Sequence, residues 1–265
     1  MNEDPNDNST AVPALEPRKI AIIGKAPDSV KDAPYDNPEW EIWILNTLGH
    51  AREVPRWDRQ FELHELRLTK DPAYGDYYQW LTRQTKPVYL RDAPPAEFAS
   101  GIQFPLGQIQ ERFAALAGVS YLTNTVSLMT ALALYEHATE AGGRRVSDIG
   151  LWGVNMAQHG LQSAGHVGWF TSEYARQRPS CEYWIGIAEG AGIKVHIPAK
   201  SDLLKCACVY GYHTTERFQK FQVRRQELQG RIQGAQATEQ RSHDEAIFLS
   251  GAMEAMNYDE QWLGG

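Results

Sequence analysis

The stretch KIAIIG, from Lys19 to Gly24, decides the fold. It is a short run of apolar and β-branched residues that ends in glycine, a pattern typical of a strand buried within a parallel sheet. EIWILN, from Glu41 to Asn46, has the same character, and so does DIGLWGVN, from Asp148 to Asn155. We therefore predict that these three runs form buried strands of one mostly parallel sheet.

Further candidate strands and helices alternate along the chain. The other strand candidates are RQFELHE (Arg59 to Glu65), PVYLRD (Pro87 to Asp92), KVHIP (Lys194 to Pro198) and a short edge strand, IQFP (Ile102 to Pro105). Helical spacing of apolar residues predicts helices over Thr125 to Gly143 and Glu182 to Gly192, each with glycine at its end. This alternation predicts an α/β fold with a doubly wound, mostly parallel, Rossmann-like sheet.

The chain divides by composition into three parts. Residues 1–17 are polar and contain proline, which predicts a disordered leader. We expect residues 18–205 to form a Rossmann-like, nucleotide-binding domain. Residues 206–265 are rich in Gln, Glu, Arg and Ala and carry a thin apolar stripe. They predict a long helix or helical hairpin that pairs, like a coiled coil, with another copy in a homo-oligomer. The alternative is that this tail folds back on its own core.

Composition restricts the class of protein. Of the 265 residues, 42% are hydrophobic and 22% are charged, which excludes global disorder, and the net charge of -7 argues against a broad nucleic-acid interface. No apolar run approaches the ~18 residues of a membrane span, and the acidic amino terminus is not a signal peptide. We expect a cytoplasmic protein without membrane association. Its three cysteines, Cys181, Cys206 and Cys208, are expected to be reduced thiols.

In a parallel sheet, ligands bind beyond the carboxyl ends of the strands, so the residues that follow each strand are the candidate site. After the first strand, Gly24 permits a turn, Lys25 follows, and Asp28 and Ser29 are placed to cap a helix whose N–H groups suit a phosphate. The sequence is neither G-x-G-x-x-G nor a P-loop, so a plain strand-to-helix turn is the alternative. After the second strand, Asn46 is placed to bond a base or ribose, or to cap the next segment.

The segment from Pro55 to Glu65 holds the candidate catalytic residues. His64 follows a strand and is suited to acid–base chemistry, because its ordinary pKa lies near neutrality. Asp58 or Glu65 would orient it, and Arg56 would hold phosphate. The alternative is a structural ion pair between Arg56 and Asp58 beside a hydrogen-bonded histidine.

The last candidate group follows the strand that ends near Asn155. Gly153, Asn155 and His159 come directly after that strand. Further on, Glu173 and Gln177 share one helix face, and Arg178 is a natural phosphate clamp, although it could instead pair with Glu182 four residues on. The glycine-rich loop between these groups, HGLQSAGHVGWFTS, is either a lid over the ligand or a mobile connection.

In order along the chain, several of these segments resemble a group of tailed-phage proteins of poorly defined function. The matching segments are Gly24 to Ser29, Pro38 to Asn46, Pro55 to His64, Thr125 to Ser127, Gly153 to Ala157 and Glu173 to Pro179. The likeness covers about Lys19 to Ser201. More weakly, the chain resembles Rossmann-like enzymes that handle nucleotide-activated sugars, namely sialyltransferase-like and pterin pyrophosphokinase-like folds.

The resemblance implies a nucleotide-sugar or nucleotide-diphosphate ligand at the carboxyl edge, and it adds Thr125 and Ser127 to the ligand-binding residues. Two positions depart from the pattern. Ala26 replaces a glycine, which limits how closely a pyrophosphate approaches the backbone, and Asn155 replaces an acid that could bind metal or ribose. The chain also lacks a D-x-D motif, so we expect arginines rather than a divalent metal to neutralise the phosphates.

Three functions remain open at this point. The first is a glycosyltransferase-like transferase that uses a nucleotide-activated donor, with His64 as general base. The second is a protein that binds a nucleotide-derived ligand or signal without turnover, which the change to Asn155 favours. The third is an oligomeric assembly factor that uses its helical tail.

Overall fold

A computed structural model describes residues 16–156, 173–205, 209–210, 212 and 215–263. The predictions for most of the leader, for the proposed lid loop with His159, and for Cys206 and Cys208 lie outside these residues. The chain divides into two units, Met1–Leu204 and Lys205–Gly265.

The first unit is built on a seven-stranded sheet in which every neighbouring pair is parallel. The strands are β1 (Arg18–Ile23), β2 (Trp40–Leu45), β3 (Arg59–Glu62), β4 (Val88–Leu90), β5 (Gly101–Gln103), β6 (Val146–Trp152) and β7 (Lys194–His196). Their order is β5-β4-β3-β2-β1-β6-β7. The predicted α/β class is confirmed, and the short fifth strand lies at an edge. Each strand ends one to three residues before its predicted end.

The described residues form six α-helices, five in the first unit and one in the second. They are α1 (Pro27–Val30), α2 (Tyr77–Thr82), α3 (Leu106–Arg112), α4 (Thr125–Ala138), α5 (Glu173–Gly190) and α6 (Thr215–Leu263). The predicted helix up to Gly143 is too long, because Glu140 adopts a left-handed φ of 49° after α4 ends. The helix predicted from Glu182 starts nine residues earlier and includes Pro179.

Both faces of the sheet are covered. Successive strand residues point to opposite faces, and Tyr89 of β4 stacks on Phe61 within the main core. Its neighbours Val88 and Leu90 pack instead in a second cluster that includes Leu81 of α2. The prediction of a doubly wound sheet therefore agrees with this packing.

The main core lies around the central strands β1, β2 and β6, whose apolar residues are almost wholly buried. Trp43 and Trp184 are its largest fully buried side chains. Cys181 is buried in the same core, and burial raises the pKa of its thiol to about 11, as expected for an unreactive thiol. Among the described helices, none is both long and apolar enough to cross a membrane.

The second unit contains α6, one continuous helix of 49 residues. The structure therefore shows the single helix rather than the helical hairpin of the two predicted forms. Large apolar side chains that the structure describes on this helix are exposed; they include Phe221, Leu228, Ile232, Leu249 and Met253.

Candidate functional site

The candidate site lies where the chain direction reverses within the sheet order. From β1 the chain builds strands outward to β5 on one side, and it then returns to place β6 on the other side of β1. Such a switch point leaves a crevice at the carboxyl ends of the two strands, which is the usual ligand position in open α/β sheets.

At this point the backbone at Gly24 and the backbone at Gly153 pass each other in close contact, an arrangement called here the glycine crossing. The N–H of Gly24 donates to the carbonyl of Trp152 at 2.8 Å, and the N–H of Ala26 donates to the carbonyl of Gly153 at 2.7 Å. A Cβ atom on Gly24 would lie 2.4 Å from the carbonyl oxygen of Gly153, and Gly153 itself has a φ of +66°. Both positions therefore require glycine, one for close backbone approach and the other for its conformation as well.

Ser29 holds this crossing in place. Its side chain is buried, and its hydroxyl oxygen accepts a hydrogen bond from the N–H of Gly153 at 2.9 Å. The prediction that Ser29 binds ligand is corrected, because its oxygen faces the backbone. The predicted helix start also differs, since α1 has four residues and begins after Ala26 without a side-chain cap.

A cleft of about 860 Å³ opens above the crossing. Gly24, Asn46, His64 and Asn155 all line it, so the ends of β1, β2, β3 and β6 bring these four predicted residues together. Lys25 lines it as well. The volume is within the range of small-molecule and cofactor sites, roughly 300–1,000 Å³.

The amino terminus of α4 forms another wall of the cleft. Asn124 caps this helix, accepting from the N–H of Ser127 at 2.9 Å, and the Ser127 hydroxyl lies 3.4 Å from the N–H of Asn124 in return. Thr125 lines the cleft, whereas Ser127 is fully buried within the cap. Ser127 is therefore corrected from a ligand-binding residue to a capping residue. The positive end of the helix dipole at this terminus favours anions.

Two further side chains act on the charge and shape of the cleft. Lys25 donates from Nζ to the Thr47 hydroxyl at 2.8 Å. Among the described residues that line the cleft, Lys25 alone has a permanently positive side chain. Gln177 also lines the cleft, and its backbone carbonyl accepts a hydrogen bond from Nδ2 of Asn124 at 3.2 Å, which joins α5 to the start of α4.

His64 is backed by a buried carboxylate that sequence reasoning did not identify. Glu62, at the end of β3, is 3% exposed, and its Oε1 lies 2.7 Å from Nδ1 of His64. Its Oε2 accepts from the Tyr77 hydroxyl at 2.8 Å. Burial, together with the neighbouring carboxylate, raises the pKa of Tyr77, which keeps the phenol neutral and able to donate. The three side chains form a Tyr77–Glu62–His64 chain.

A second, smaller cavity shares residues with the cleft. It has a volume of about 120 Å³, and Glu62 and Tyr77 line it together with Lys25, Asn46 and His64. Oδ1 of Asn46 is a buried acceptor without a hydrogen-bond donor among the described residues. A buried acceptor without a donor costs free energy, so a ligand hydroxyl placed here would have a polar partner.

Arg56 and Asp58 do not belong to this site. Both precede β3 and therefore lie at the amino edge of the sheet, opposite the cleft. Arg56 donates to the carbonyls of Asn37 and Trp40 at 2.7 and 2.8 Å, and pairs with Asp58 at 3.0 Å. Asp58 accepts from the N–H of Ile42 at 2.8 Å. The predicted phosphate clamp and orienting acid are wrong, and the structural ion pair considered as the alternative is what the structure shows.

Glu65 and Arg178 are likewise engaged elsewhere. Glu65 pairs with Arg67, while Glu62 takes the orienting position predicted for Glu65. Arg178 is buried and pairs with Glu182 at 2.7 Å across one turn of α5, which is the alternative weighed for it. Glu173 starts the same helix, but its side chain lies outside the described residues.

Asn155 lines the cleft and also supports the backbone beside it. Its Oδ1 accepts from the N–H of Asp202 at 3.1 Å. An aspartate here could accept the same bond and would add a negative charge. Asn155 instead leaves the cleft without an acid at this point. No group of three or more potential metal ligands occurs within the described residues.

The fold and site define an open, all-parallel α/β protein with a cleft at its switch point. No protein-family model matches the sequence, and no curated protein matches it significantly. Among solved structures, the chain is similar to the sialyltransferase CstII from Campylobacter jejuni in complex with the substrate analogue CMP-3FNeuAc. That likeness has a TM-score of 0.43 and 11% identity, and covers 68% of this chain and 80% of the sialyltransferase. The resemblance to tailed-phage proteins remains a prediction.

Proposed function

We propose that the chain binds a nucleoside-phosphate ligand in the cleft and transfers a group, such as a sugar, from a nucleotide-activated donor to an acceptor hydroxyl. The observation that carries this proposal is the Tyr77–Glu62–His64 chain, which ends in the wall of both the cleft and the smaller cavity.

The shape and charge of the cleft suit a phosphorylated ligand. Gly24 and Gly153 line the cleft and add no side chain to it, so a phosphate there would meet backbone rather than side chains. The amino terminus of α4 and the ammonium group of Lys25 favour negative charge in the same cleft. The volume leaves room for a base and a sugar beside the phosphates.

The histidine chain supports base catalysis. When Nδ1–H of His64 donates to the carboxylate of Glu62, the basic lone pair is on Nε2. This nitrogen would take the proton of the acceptor hydroxyl as its oxygen attacks the activated carbon of the donor. The bond from that carbon to phosphate oxygen breaks, and the nucleotide leaves with the electron pair. Glu62 would stabilise the imidazolium that forms.

The test is nucleotide release from a panel of nucleotide sugars with simple hydroxyl acceptors. His64→Gln should lower turnover by about 10²–10⁴-fold, the usual contribution of a general base, while the affinity for donor stays close to that of the unmodified protein. Glu62→Gln should also lower turnover. His243→Gln, on the exposed face of α6, is the matched control and should leave turnover unchanged. Equal turnover in the His64 and His243 variants would contradict the assignment.

A second candidate is a ligand-binding protein without turnover. It is favoured because Arg56 and Arg178 form ion pairs with Asp58 and Glu182. It is also favoured because Asn155 stands where the resemblance leads us to expect an acid. The two candidates differ in one measurement. Nucleotides that bind while no donor in the panel is consumed support the binding protein.

Binding itself is tested by thermal shift with nucleoside mono- and diphosphates. At ~100 times its Kd, a bound ligand adds about 2.7 kcal/mol to the free energy of unfolding. Lys25→Met should weaken the binding of a diphosphate, while Lys31→Met, at an exposed position outside the cleft, should not. If no nucleotide shifts the melting temperature, the cleft is not a nucleotide site.

A further inference from the structure

Helix α6 carries a regular apolar stripe along almost its whole length. From Phe221 to Leu263, positions spaced alternately by four and three residues form one continuous seam of two positions per heptad. The seam positions are Phe221, Arg225, Leu228, Ile232, Ala235, Glu239, Ser242, Ala246, Leu249, Met253, Met256, Glu260 and Leu263. The described apolar side chains of this seam are exposed, with Met253 at 64% and Met256 at 69%.

A single helix cannot bury its own apolar seam. The helix also contains Gly230, Gly234 and Gly251, none of which has a neighbouring atom within 4 Å of an added Cβ. Glycine in a helix interior is unfavourable, so these positions weaken α6 as an isolated helix. A long helix of this kind gains most of its stability from packing, and a partner for the seam would supply it.

The charges of α6 are strongly divided between its two halves. Residues 215–231 contain five lysines and arginines and two acids, whereas residues 239–260 contain six acids and one arginine. Residues 232–238, between them, are uncharged. The helix is therefore positive towards its amino terminus and negative towards its carboxyl terminus. A second copy of this helix complements it only when it runs in the opposite direction.

We propose that α6 pairs with α6 of a second copy of the chain as an antiparallel coiled coil centred between Gln240 and Arg241. The seam has two positions in each heptad. In this register the first position of one helix faces the second position of the other, as antiparallel packing requires. Facing residues, one from each copy, are Phe221 with Glu260, Arg225 with Met256, Leu228 with Met253, Ile232 with Leu249, Ala235 with Ala246 and Glu239 with Ser242. The pairing uses almost the full length of both helices.

The register matches side-chain size as well as charge. The larger apolar residues Leu228 and Ile232 face Met253 and Leu249, and the two small residues Ala235 and Ala246 face each other. The polar pair Glu239 and Ser242 occupies the centre, where a polar layer fixes register at some cost in stability. A parallel pair would instead place Arg225 against Arg225 and Glu239 against Glu239, with like charges along both halves.

The first experiment measures the mass of the full chain in solution by light scattering. We expect about twice the 29.9 kDa of one chain. Leu228→Glu, in the seam, should reduce the mass to that of one chain. Val223→Glu, on another face of the same helix and 66% exposed, is the matched control and should leave the dimer intact. A single-chain mass for the unmodified protein, or a dimer that survives Leu228→Glu, overturns the proposal.

The second experiment determines the direction of the pair by disulfide cross-linking. The background carries Cys206→Ser and Cys208→Ser and keeps the buried Cys181; its mass must equal that of the unmodified protein. Oxidation of mixed Ala235→Cys and Ala246→Cys chains should give a cross-linked dimer. Ala235→Cys alone should give none, because the two copies of residue 235 lie about 16 Å apart along antiparallel helices.

Each cross-linking outcome decides the direction. Cross-linking in the mixture and not in the single variant supports the antiparallel pair. Cross-linking of Ala235→Cys with itself shows a parallel pair and overturns the proposal. A dimer that forms no cross-link either in the mixture or in the single variant also overturns it. None of these results depends on whether the cleft binds a nucleotide.

Discussion

At the amino edge of the sheet, charged side chains are paired with one another, whereas at the carboxyl edge polar side chains line an opening. The amino edge holds a four-residue network. Arg18 contacts Glu41 at 2.6 Å and Glu136 at 2.8 Å, and Arg59 contacts Glu136 at 2.6 Å. Burial alone would raise the pKa of Glu41, but Arg18 and Arg59 outweigh it and lower that pKa.

The carboxyl edge of the same strands differs in what its residues contact. Gly24, Asn46 and His64 follow β1, β2 and β3 and line the cleft, and one side-chain oxygen of Asn46 has no donor among the described residues. The difference teaches that charged residues at the start of a strand, such as Arg18 and Arg59, contribute to the stability of this fold. Polar residues that follow the end of a strand line the candidate site. The difference between the two edges predicts how strongly substitutions at each edge should change the stability of the protein.

The largest effect is expected from Arg18→Met. The substitution removes the buried guanidinium of Arg18 and leaves the buried carboxylate of Glu136 and the partly buried carboxylate of Glu41 to share Arg59. Because this breaks a buried ion pair, the free energy of unfolding should fall by about 3–5 kcal/mol. Urea denaturation measures it. The control is Arg145→Met, which breaks the exposed pair with Glu140 and should cost no more than about 1 kcal/mol. If the two variants lose equal stability, the amino edge is not the stabilising edge.

The next effect is expected from Gly24→Ala at the glycine crossing. The new methyl group would lie 2.4 Å from the Gly153 carbonyl oxygen, and relief of that clash should cost about 1–3 kcal/mol. Gly186→Ala on α5 meets no atom within 4 Å and should stabilise the protein by about 0.5–1 kcal/mol. A melting temperature for Gly24→Ala equal to that of the unmodified protein would show that the strands are not held this closely.

A smaller effect, dependent on pH, is expected from Glu41→Gln. Because the pKa of Glu41 in the folded protein is below its usual 4.5, its carboxylate stabilises the fold above that pH, and this contribution is lost as the pH falls through the lowered pKa. At pH 7 the variant should be less stable by about 1 kcal/mol. The difference should shrink below about pH 4.5. If the difference in free energy of unfolding between the variant and the unmodified protein stays constant or increases in acid, the ion pairs of Glu41 do not stabilise the fold in this way.

The smallest effect on stability is expected from His64→Gln at the carboxyl edge. The side chain of His64 is 56% exposed, so the free energy of unfolding should change by no more than about 0.5 kcal/mol. Urea denaturation beside Arg18→Met gives the direct contrast between the two edges. A loss of several kcal/mol would make His64 a structural residue and remove the contrast.

Much of the fold follows from the sequence, because β-branched runs such as that ending at Gly24 have few alternatives to a buried strand. The rule that parallel strands end at one edge also brings His64 and Asn155 to one cleft. The same rule, applied fully, would have excluded Asp58, which precedes its strand. Arg178 was ambiguous, since helical spacing alone does not distinguish a ligand clamp from an ion pair with Glu182.

Other parts of the site depend on contacts that no local pattern specifies. Glu62 follows Phe61 in β3, so in the sequence it looks like an ordinary polar residue on the outward face of a strand. Only the folded structure shows that its side chain is buried. Tyr77 is 15 residues away from Glu62 and reaches it only through the placement of α2. The capping role of Ser127 was available from the sequence, because Asn124 precedes it by the spacing of a cap.

Helix α4 links the two edges of the sheet. It begins at Asn124 in the wall of the cleft and, about 18 Å further along its axis, Glu136 near its last turn is held by Arg18 and Arg59. The charge network therefore anchors the far end of the helix whose first turn lines the cleft. Weakening the contacts of Arg18 and Arg59 with Glu136 should therefore raise the dissociation constant of an anion bound in the cleft, although none of these three residues lines the cleft.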